Sequence, residues 1–326
     1  MYKNAQQSEV ILTRENPPTS PHHESISEEE EKAFELITAD YNERAIQMND
    51  FYNIPGYWPL RIRDDKERVT KKKKEIQETN TEPTKAAKLL EAILVEQIEL
   101  SNWFGENTYT IIPSEYGDLF HGIDLALQIE DEAQGVKHLA MGIDVTTSPI
   151  AIRKKLSIIK KHIRTGTLTM MEYFHSDDYD PDFYGAMTHI PQVVVGTERK
   201  TMRELSDLWL KGYRRAKINK KTAQPPLSPE GEASQRDQAK ETKDKLGKHR
   251  IQLLLLEEIK MQLTVFHEFA LQSRQNQAAE KLASVLSLVE SILRTRKTPT
   301  PDDVFKNSED DVFQALRYAL DDFDNL

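Results

Sequence analysis

The sequence contains no cysteine. This absence excludes disulfide bonds, zinc–thiolate sites, iron–sulfur clusters and thiol nucleophiles, so any metal ion must be held by oxygen or imidazole ligands. No apolar run approaches the roughly 20 residues that a membrane-spanning helix needs. The N-terminal sequence MYKNAQQSEV also lacks the basic and apolar regions of a signal peptide. We therefore expect a cytoplasmic protein that has no membrane partner.

Several common enzyme motifs are also missing. The sequence has no GxxxxGK[ST], no GxGxxG after a strand, no HExxH and no GxSxG. These absences argue against P-loop nucleotide hydrolases, dinucleotide-binding enzymes, the common zinc proteases and serine hydrolases of the elbow type. What the chain does have is length and charge: 326 residues, of which 38% are hydrophobic and 30% are charged. This composition predicts a compact domain with long, solvated helical arms.

The charge is unevenly distributed along the chain, whose formal net charge is -10. Residues 91–144 contain eleven acidic side chains and a single lysine, whereas residues 153–220 contain fourteen Lys or Arg and eight Asp or Glu. An acidic block followed by a basic block is consistent with a cation site beside a phosphate-binding surface. Uneven charge on a solvated surface is the alternative interpretation.

Helix and strand signals divide the chain. Ser27, followed by four glutamates with Glu30 at the capping-box position, predicts the start of a helix. The sequence at 53–56 ends that pattern, and the aromatic loop 57–59 is expected to dock on the core. Residues 64–79 are nearly all charged and predict an exposed helix or tether.

The middle of the chain predicts an α/β core. An amphipathic helix is expected over 84–104, packed on a sheet, and a helix starting at Ser148 and Pro149 should follow the strands. Three short apolar runs predict strands in a meander, and a β-branched run that ends in glycine predicts a further buried strand. The predicted strands are 109–113, 121–129, 138–147 and 190–196, and another helix is expected over 202–213.

The expected organisation is therefore a core with helical additions at both ends. The predicted segments are a flexible tail (1–26), a helical arm (27–83), the core (84–217), a linker (218–248), a helical hairpin (249–296) that breaks near 273–277, and an acidic C-terminal tail or helix (297–326) capped by Ser308. Because the hairpin has more apolar residues than one helix pair easily hides, it predicts a homodimer or a protein partner.

Two aspartates are the strongest chemical signal. Asp124 and Asp144 each end a Gly-Ile-Asp triplet, and each interrupts an apolar strand. A buried carboxylate is costly unless a cation or hydrogen bonds compensate it. If the two strands pair antiparallel, both side chains can lie on one face within the span of one Mg²⁺.

With this pattern, the region 84–217 resembles the PD-(D/E)XK, or restriction-endonuclease-like, nuclease family. That family has an acid on a first helix, an Asp on one strand, an acid-x-Lys on the next strand and then a helix. Asp124 matches the central Asp and Asp144 matches the first acid of the next motif, but Thr146 stands where the family has lysine. Some members take this lysine from the following helix. There Lys155 lies beside the apolar stripe, whereas Lys154 points outward.

The resemblance implies an α/β (α+β) fold with a mixed sheet flanked by helices. It also implies Mg²⁺ or Mn²⁺ held by Asp124, Asp144 and the Val145 carbonyl, and a lysine at 155 that orients water or stabilises the transition state. Glu91 is the first choice for the helix acid, with Glu96 as the alternative. The basic residues of the next helix are expected to bind the phosphate backbone: Arg153, Lys154, Lys160, Lys161 and Arg164.

Three functions remain open from sequence. The first is an Mg²⁺-dependent nuclease acting on DNA or, as a weaker choice, RNA. The second, suggested by Thr146, is a non-catalytic member of the same fold that binds nucleic acid or protein as an assembly module. The third is a helical interaction protein with a structural core. Asp118 could support the metal-binding acids, but an Asp beside Gly117 is more typical of a turn, which is the interpretation chosen here. Residues 173–184 are interpreted as a surface loop near the active face.

Overall fold

The computed structural model describes residues 26–79, 85–131, 136–175, 184–221, 240–296 and 300–326. Within these ranges the protein is a mixed α+β fold, with a mixed four-stranded sheet and a two-stranded sheet. The predicted tail up to residue 25 and most of the predicted linker lie outside the described residues. None of the described helices is long and apolar enough to cross a lipid bilayer.

The N-terminal region begins at the predicted cap. Helix α1 (Glu28–Arg44) starts after Ser27, whose hydroxyl accepts from the Glu30 N–H while the Glu30 carboxylate accepts from the Ser27 N–H. A 3₁₀ turn follows at Met48–Phe51, and then α2 (Pro59–Thr79). The prediction that the aromatic loop docks on the core is wrong for Trp58, which is 74% exposed.

The sheet begins with the predicted meander. Helix α3 (Lys85–Leu100) precedes β1 (Thr108–Ile111), and a short helix, α4 (Glu115–His121), connects it to β2 (Leu125–Asp131) and β3 (Val136–Thr146). The strands pair antiparallel in the order β1-β2-β3. The second strand starts four residues later than predicted, because α4 runs until Gly122 ends it at a φ of +63°.

A crossover helix and a hairpin complete the sheet region. Helix α5 (Ile152–Thr165) leads into β4 (Thr169–His175) and β5 (Tyr184–Ile190), which pair with each other. Strand β6 (Gln192–Gly196) then returns parallel to β3. The pairing of β4 with β5 was not predicted. The interpretation of 173–184 as a surface loop is wrong for Tyr173, which is buried in β4, whereas residues 176–183 lie outside the described residues.

The remaining chain is helical where it is described. The elements are α6 (Arg199–Lys221), α7 (240–247), α8 (Ile251–Gln272), α9 (Asn276–Thr295), α10 (Pro301–Ser308) and α11 (Asp311–Asp321). Helices α8 and α9 form the predicted hairpin, with the break after Gln272. The C-terminal cap differs from the prediction: Asp310, rather than Ser308, accepts from the N–H groups of Val312 and Phe313.

One large hydrophobic core joins these segments. It extends from Ala33 in α1 to Phe323 after α11, and it includes buried residues of α3, the sheet, α5, α6, α8 and α9. The predicted arm, core and hairpin are therefore segments in sequence that share one core.

Helix α8 covers the free edge of β6 with two polar side chains. Gln262 accepts from the Val194 N–H at 2.8 Å and donates to the Val194 carbonyl at 2.6 Å. The Glu258 carboxylate accepts from the Gly196 N–H at 2.9 Å. We call these four residues the β6 seam. Because an uncovered edge strand leaves backbone groups unpaired, the seam replaces a missing neighbouring strand.

Candidate active site

Asp124 and Asp144 meet at one end of the sheet. The register pairs Leu125 with Ile143, so the two aspartates lie opposite each other just beyond that pair. The Asp124 N–H donates to the Ile143 carbonyl at 2.9 Å, and the Asp124 carboxylate accepts from the Val145 N–H at 2.6 Å. Directly opposed residues of antiparallel strands project from the same face, as the sequence predicted for this pair.

Two helices bring further carboxyl groups to the same place. The side chain of Asp118, on α4, lies within hydrogen-bonding reach of Asp124, which is also within reach of Asp144. Glu91 enters from α3, where it is buried. The Tyr41 hydroxyl joins these parts: it donates to the Asp124 carbonyl at 3.1 Å and lies 3.5 Å from the Glu91 carboxylate. We call Glu91, Asp118, Asp124 and Asp144 the acid cluster.

Lys155 supplies a cation at the cluster. Its ammonium group forms an ion pair with the Asp144 carboxylate and lies 3.4 Å from the Val145 carbonyl. Thr146, which stands where the family resemblance expects a lysine, is buried, and its hydroxyl accepts from the Ser148 N–H at 3.1 Å. A lysine from α5 therefore occupies the place beside Asp144 that a lysine at 146 is expected to fill.

The pKa values of the acids are raised. Burial raises the pKa of Glu91 well above its usual value, and repulsion from Asp124 adds to this. Burial and the neighbouring Asp124 raise the pKa of Asp118 to about 7, against the attraction of Lys88 and Lys155. They raise the pKa of Asp144 to about 8, against the attraction of Lys155. Burial acts to lower the pKa of Lys155, but Asp144 and Asp124 outweigh it and raise the value. The acid cluster therefore retains protons at neutral pH that a bound cation would displace.

The donor atoms of the cluster match a hard divalent cation. Carboxylate and carbonyl oxygens are the ligands that Mg²⁺ and Mn²⁺ prefer, and Asp124, Asp144 and the Val145 carbonyl are adjacent. No group of three or more His, Cys, Asp or Glu in the described ranges has the arrangement of a preformed metal site. The Asp124 carboxyl group lies within hydrogen-bonding reach of Asp118, of Asp144 and of the Val145 N–H, so metal binding requires side-chain rotation.

The basic residues predicted to bind phosphate fall into two groups. Lys154, Lys161 and Arg164 are exposed on α5. Arg153 is exposed but forms an ion pair with Asp322 at 2.6 Å. Lys160 corrects the prediction: it is 2% exposed, and its ammonium donates to the carbonyls of residues 323 and 324 at 2.6 and 2.7 Å. It cannot reach a phosphate without leaving these partners.

The structure also distinguishes the alternatives for other site residues. Glu96, the second choice for the helix acid, points away and accepts from the indole N–H of Trp209 at 2.9 Å, whereas Glu91 lies in the cluster. The turn assignment of Asp118 is wrong, because the residue lies in α4. The signal that was available for this helix was Ser114, whose hydroxyl caps α4 by accepting from the Gly117 N–H.

Sequence reasoning also missed Gln192, the first residue of β6. Its amide donates to the carbonyls of Gly122 at 2.6 Å and His121 at 3.2 Å. These two carbonyls belong to the turn that connects Asp118 to Asp124. Gln192 therefore ties this turn to the sheet beside Asp144.

Comparisons with protein-family models, with curated proteins and with solved structures give no match to this chain.

Proposed function

We propose that the protein is a divalent-metal-dependent nuclease that hydrolyses phosphodiester bonds of DNA, with RNA as the second choice of substrate. The observation that carries this proposal is the acid cluster with Lys155 beside Asp144. Four carboxyl groups converge at the end of a strand pair, and the pKa values of Glu91, Asp118 and Asp144 are raised there. Such an arrangement costs stability, and groups of this kind concentrate at functional sites.

The order of elements supports a restriction-endonuclease-like core. A helix that carries an acid (α3) precedes an antiparallel meander (β1-β2-β3), and a basic helix (α5) leads to a strand parallel to the last of the three (β6). Asp124 lies directly before β2 and Asp144 lies in β3, close to the positions where the family resemblance expects acids. The β4–β5 hairpin is an addition between α5 and β6.

The proposed chemistry assigns a role to each group. Asp124, Asp144 and the Val145 carbonyl would hold Mg²⁺ or Mn²⁺, which acidifies a bound water and neutralises charge on the scissile phosphate. Glu91 and Asp118 add negative charge that favours a cation and accept hydrogen bonds from its water ligands. The Lys155 ammonium is placed to orient the attacking water or to stabilise the negative charge that develops on the phosphate.

A cleavage assay tests this function. Supercoiled plasmid, single-stranded DNA and RNA are incubated with the protein in Mg²⁺, in Mn²⁺ and in EDTA. We expect metal-dependent cleavage that Asp144→Asn lowers at least about a hundred-fold. Glu258→Gln is the matched control, because it neutralises a buried acid of the β6 seam and should leave cleavage unchanged. Cleavage that persists in EDTA, or that is equal in Asp144→Asn and wild type, contradicts the proposal.

A non-catalytic assembly module is the second candidate. It is favoured by Thr146 in the lysine position and by the ion pair that Lys155 already forms with Asp144. In this case the site binds nucleic acid or protein without hydrolysis. Absence of cleavage in every metal, with binding retained and no Mg²⁺-induced rise in melting temperature, would support this function over the first.

A further inference from the structure

Helix α2 carries a cationic face that the acid cluster does not use. The helix has eight Lys or Arg and five Asp or Glu, a balance of +3 in a chain whose net charge is -10. One of the five acids, Asp65, is buried. On the solvent-facing side, Glu67 and Thr70 line a surface groove of about 370 Å³ together with four cations. We call these four cations the α2 cationic face: Arg63, Lys66, Lys71 and Lys74.

The helix is firmly attached to the protein, so these charges are held in place. Ile62 and Val69 are buried in an aromatic cluster that includes Phe51 and Tyr173. The Tyr173 hydroxyl donates to the buried Asp65 carboxylate at 2.8 Å. Because the inner face is fixed, the outward cations keep a constant spacing. From residue 63 to residue 74 they span about 16 Å at the 1.5 Å rise of a helix.

Three lysines of the α2 cationic face are available to an anionic partner. In the described part of the chain, Lys71 and Lys74 form no ion pair, whereas the neighbouring Lys72 and Lys73 pair with Glu75 and Glu115. Lys66 approaches the neutral side chain of Asn49. Glu67 lines the same groove, and Arg63 lies 3.8 Å from Asp64, but an anionic ligand would not have to displace a carboxylate from these three lysines.

Helix α2 lies along α4, the helix that carries Asp118. The Arg68 guanidinium donates to the Tyr116 hydroxyl at 2.6 Å and lies 4.7 Å from the centre of the Phe120 ring. Lys73 pairs with Glu115, one helical turn before Asp118. Helix α2 therefore borders the helix that brings Asp118 to the acid cluster.

An exposed tryptophan precedes the helix. The Trp58 side chain is 74% exposed, although its neighbour Tyr57 is held by a hydrogen bond from its hydroxyl to the Glu172 carbonyl at 2.5 Å. Arg63, the first cation of the α2 cationic face, follows Trp58 by five positions in the sequence. Exposed aromatic side chains on cationic surfaces are typical of sites on which unpaired bases stack. Cations alone contact phosphates of any strand, so Trp58 adds a preference for unpaired bases.

From these observations we propose that the α2 cationic face and Trp58 form the docking surface for a nucleic-acid strand with unpaired bases. The proposal rests on the proposed function, because it names the surface that would bring the strand to the acid cluster. The cations contact the phosphates and Trp58 stacks on a base. This surface lies outside the region 84–217 that carries the family resemblance.

Binding measurements on full-length variants test this surface. Labelled single-stranded DNA of about 20 nucleotides, longer than one such site, the RNA of the same sequence and the corresponding duplex are titrated in EDTA and followed by fluorescence anisotropy. The test variant is Arg63→Ala/Lys71→Ala/Lys74→Ala. We expect it to bind roughly 10- to 1,000-fold more weakly at low salt. The slope of log K against log salt should fall by about 2, as three lost phosphate contacts require.

Two controls separate this surface from charge in general. The first, Lys211→Ala/Lys245→Ala/Lys306→Ala, removes the same charge from exposed lysines that have carboxylate partners four residues away, and it should bind as the wild type does. The second, Lys154→Ala/Lys161→Ala, tests α5 as the competing surface. Trp58→Ala should weaken single-strand binding by roughly 5- to 150-fold and duplex binding much less.

The binding and cleavage results test the docking surface separately from the proposed nuclease activity. If the wild type does not cleave but its binding depends on α2 and Trp58, the docking surface is supported and hydrolysis is not. If the α2 variant binds like its control, if only the α5 variant is impaired, or if nothing binds nucleic acid, the docking surface is wrong. Binding of anionic lipid vesicles, with no binding to nucleic acid, would also overturn it. Unchanged circular dichroism melting of the variants confirms that they are folded.

Discussion

Two regions bury acidic side chains, and they use them differently. In the β6 seam, Glu258 and Gln262 each face a fixed backbone group of β6. In the acid cluster, the carboxyl groups face one another, with Lys155 as the neighbouring cation. Burial raises the pKa of Glu258 as it raises those of Glu91, Asp118 and Asp144. The same residue type therefore completes a sheet in one region and accumulates unfavourable charge in the other.

The polar side chains of the β6 seam therefore stabilise the fold, whereas the carboxyl groups of the acid cluster lower its stability. Removing a seam side chain leaves a buried N–H or carbonyl without a partner, which is costly. Removing a cluster carboxyl reduces repulsion among its neighbours, which is favourable for folding. The acid cluster keeps carboxyl groups that lower the stability of the fold, and such groups are typical of functional sites.

The largest effect is expected in the seam. Gln262→Leu leaves both the N–H and the carbonyl of Val194 unpaired, and it should lower the free energy of unfolding by about 2–6 kcal/mol. Chemical denaturation measures the change. Glu268→Leu, at an exposed position of the same helix, is the control and should stay within about 0.5 kcal/mol. A loss below about 1 kcal/mol in Gln262→Leu would show that the seam does not close the sheet edge.

The next effect concerns the lysine. Lys155→Met should lower the single-turnover cleavage rate by about 100- to 1,000-fold, the loss expected on removing one group that stabilises transition-state charge. Thr146 is two residues beyond Asp144 on β3 and so lies on the same face of the strand. Adding Thr146→Lys to Lys155→Met should therefore recover part of the rate.

Lys211→Met is the control for that series, because Lys211 is an exposed lysine of α6. If Lys155→Met cleaves at the wild-type rate, the ion pair with Asp144 is structural only. The acid cluster would then stabilise the fold as the β6 seam does, and the two regions would no longer differ in their use of buried acids.

The smallest effect is the pH dependence of stability. The folded-state pKa values of Asp118 and Asp144, about 7 and about 8, lie above the unfolded value near 4. The folded state therefore binds more protons, and the stabilisation is complete below about pH 4 and is lost as pH rises through 7 and 8. In EDTA we expect the free energy of unfolding to fall by roughly 1–3 kcal/mol between pH 5 and 9.

Two variants show how much each region contributes to the fall in the free energy of unfolding between pH 5 and 9. Asp118→Asn should make the fall smaller, because it removes one carboxylate of the acid cluster. Saturating Mg²⁺ should remove the same part of the fall, because the ion neutralises that charge. Glu258→Gln should reduce a part that Mg²⁺ does not affect. Melting curves at each pH measure both effects. A fall that neither variant changes would mean that the raised pKa values do not control stability.

Local signals predicted much of the fold. The capping box at Ser27, the amphipathic pattern of α3, the three strands of the meander and the β-branched run of β6 each depend on neighbouring residues, and each is present. Short elements with weak periodicity were missed. Helix α4 has seven residues with Gly117 inside, and the β4–β5 hairpin has no clear alternation.

The sequence predicted only those site residues that belong to a recognisable local pattern. The repeated Gly-Ile-Asp indicated Asp124 and Asp144, and the helical projection favoured Lys155, which the structure places beside Asp144. Asp118 could not be assigned, because its position depends on how α4 packs against the strand ends. Lys160 looked like a surface lysine, but contacts with residues 323 and 324, more than 160 positions away, bury it.

Gly196 shows how closely the two regions are connected. It pairs with Thr146 across the parallel strands, and a methyl group at this position would collide with the Thr146 carbonyl and crowd Val312. Even the smallest side chain must push β3 aside two residues from Asp144. A change at a site without any reactive group would thus be transmitted to the carboxylates, so inactivating substitutions in this protein need not touch an acid or a lysine.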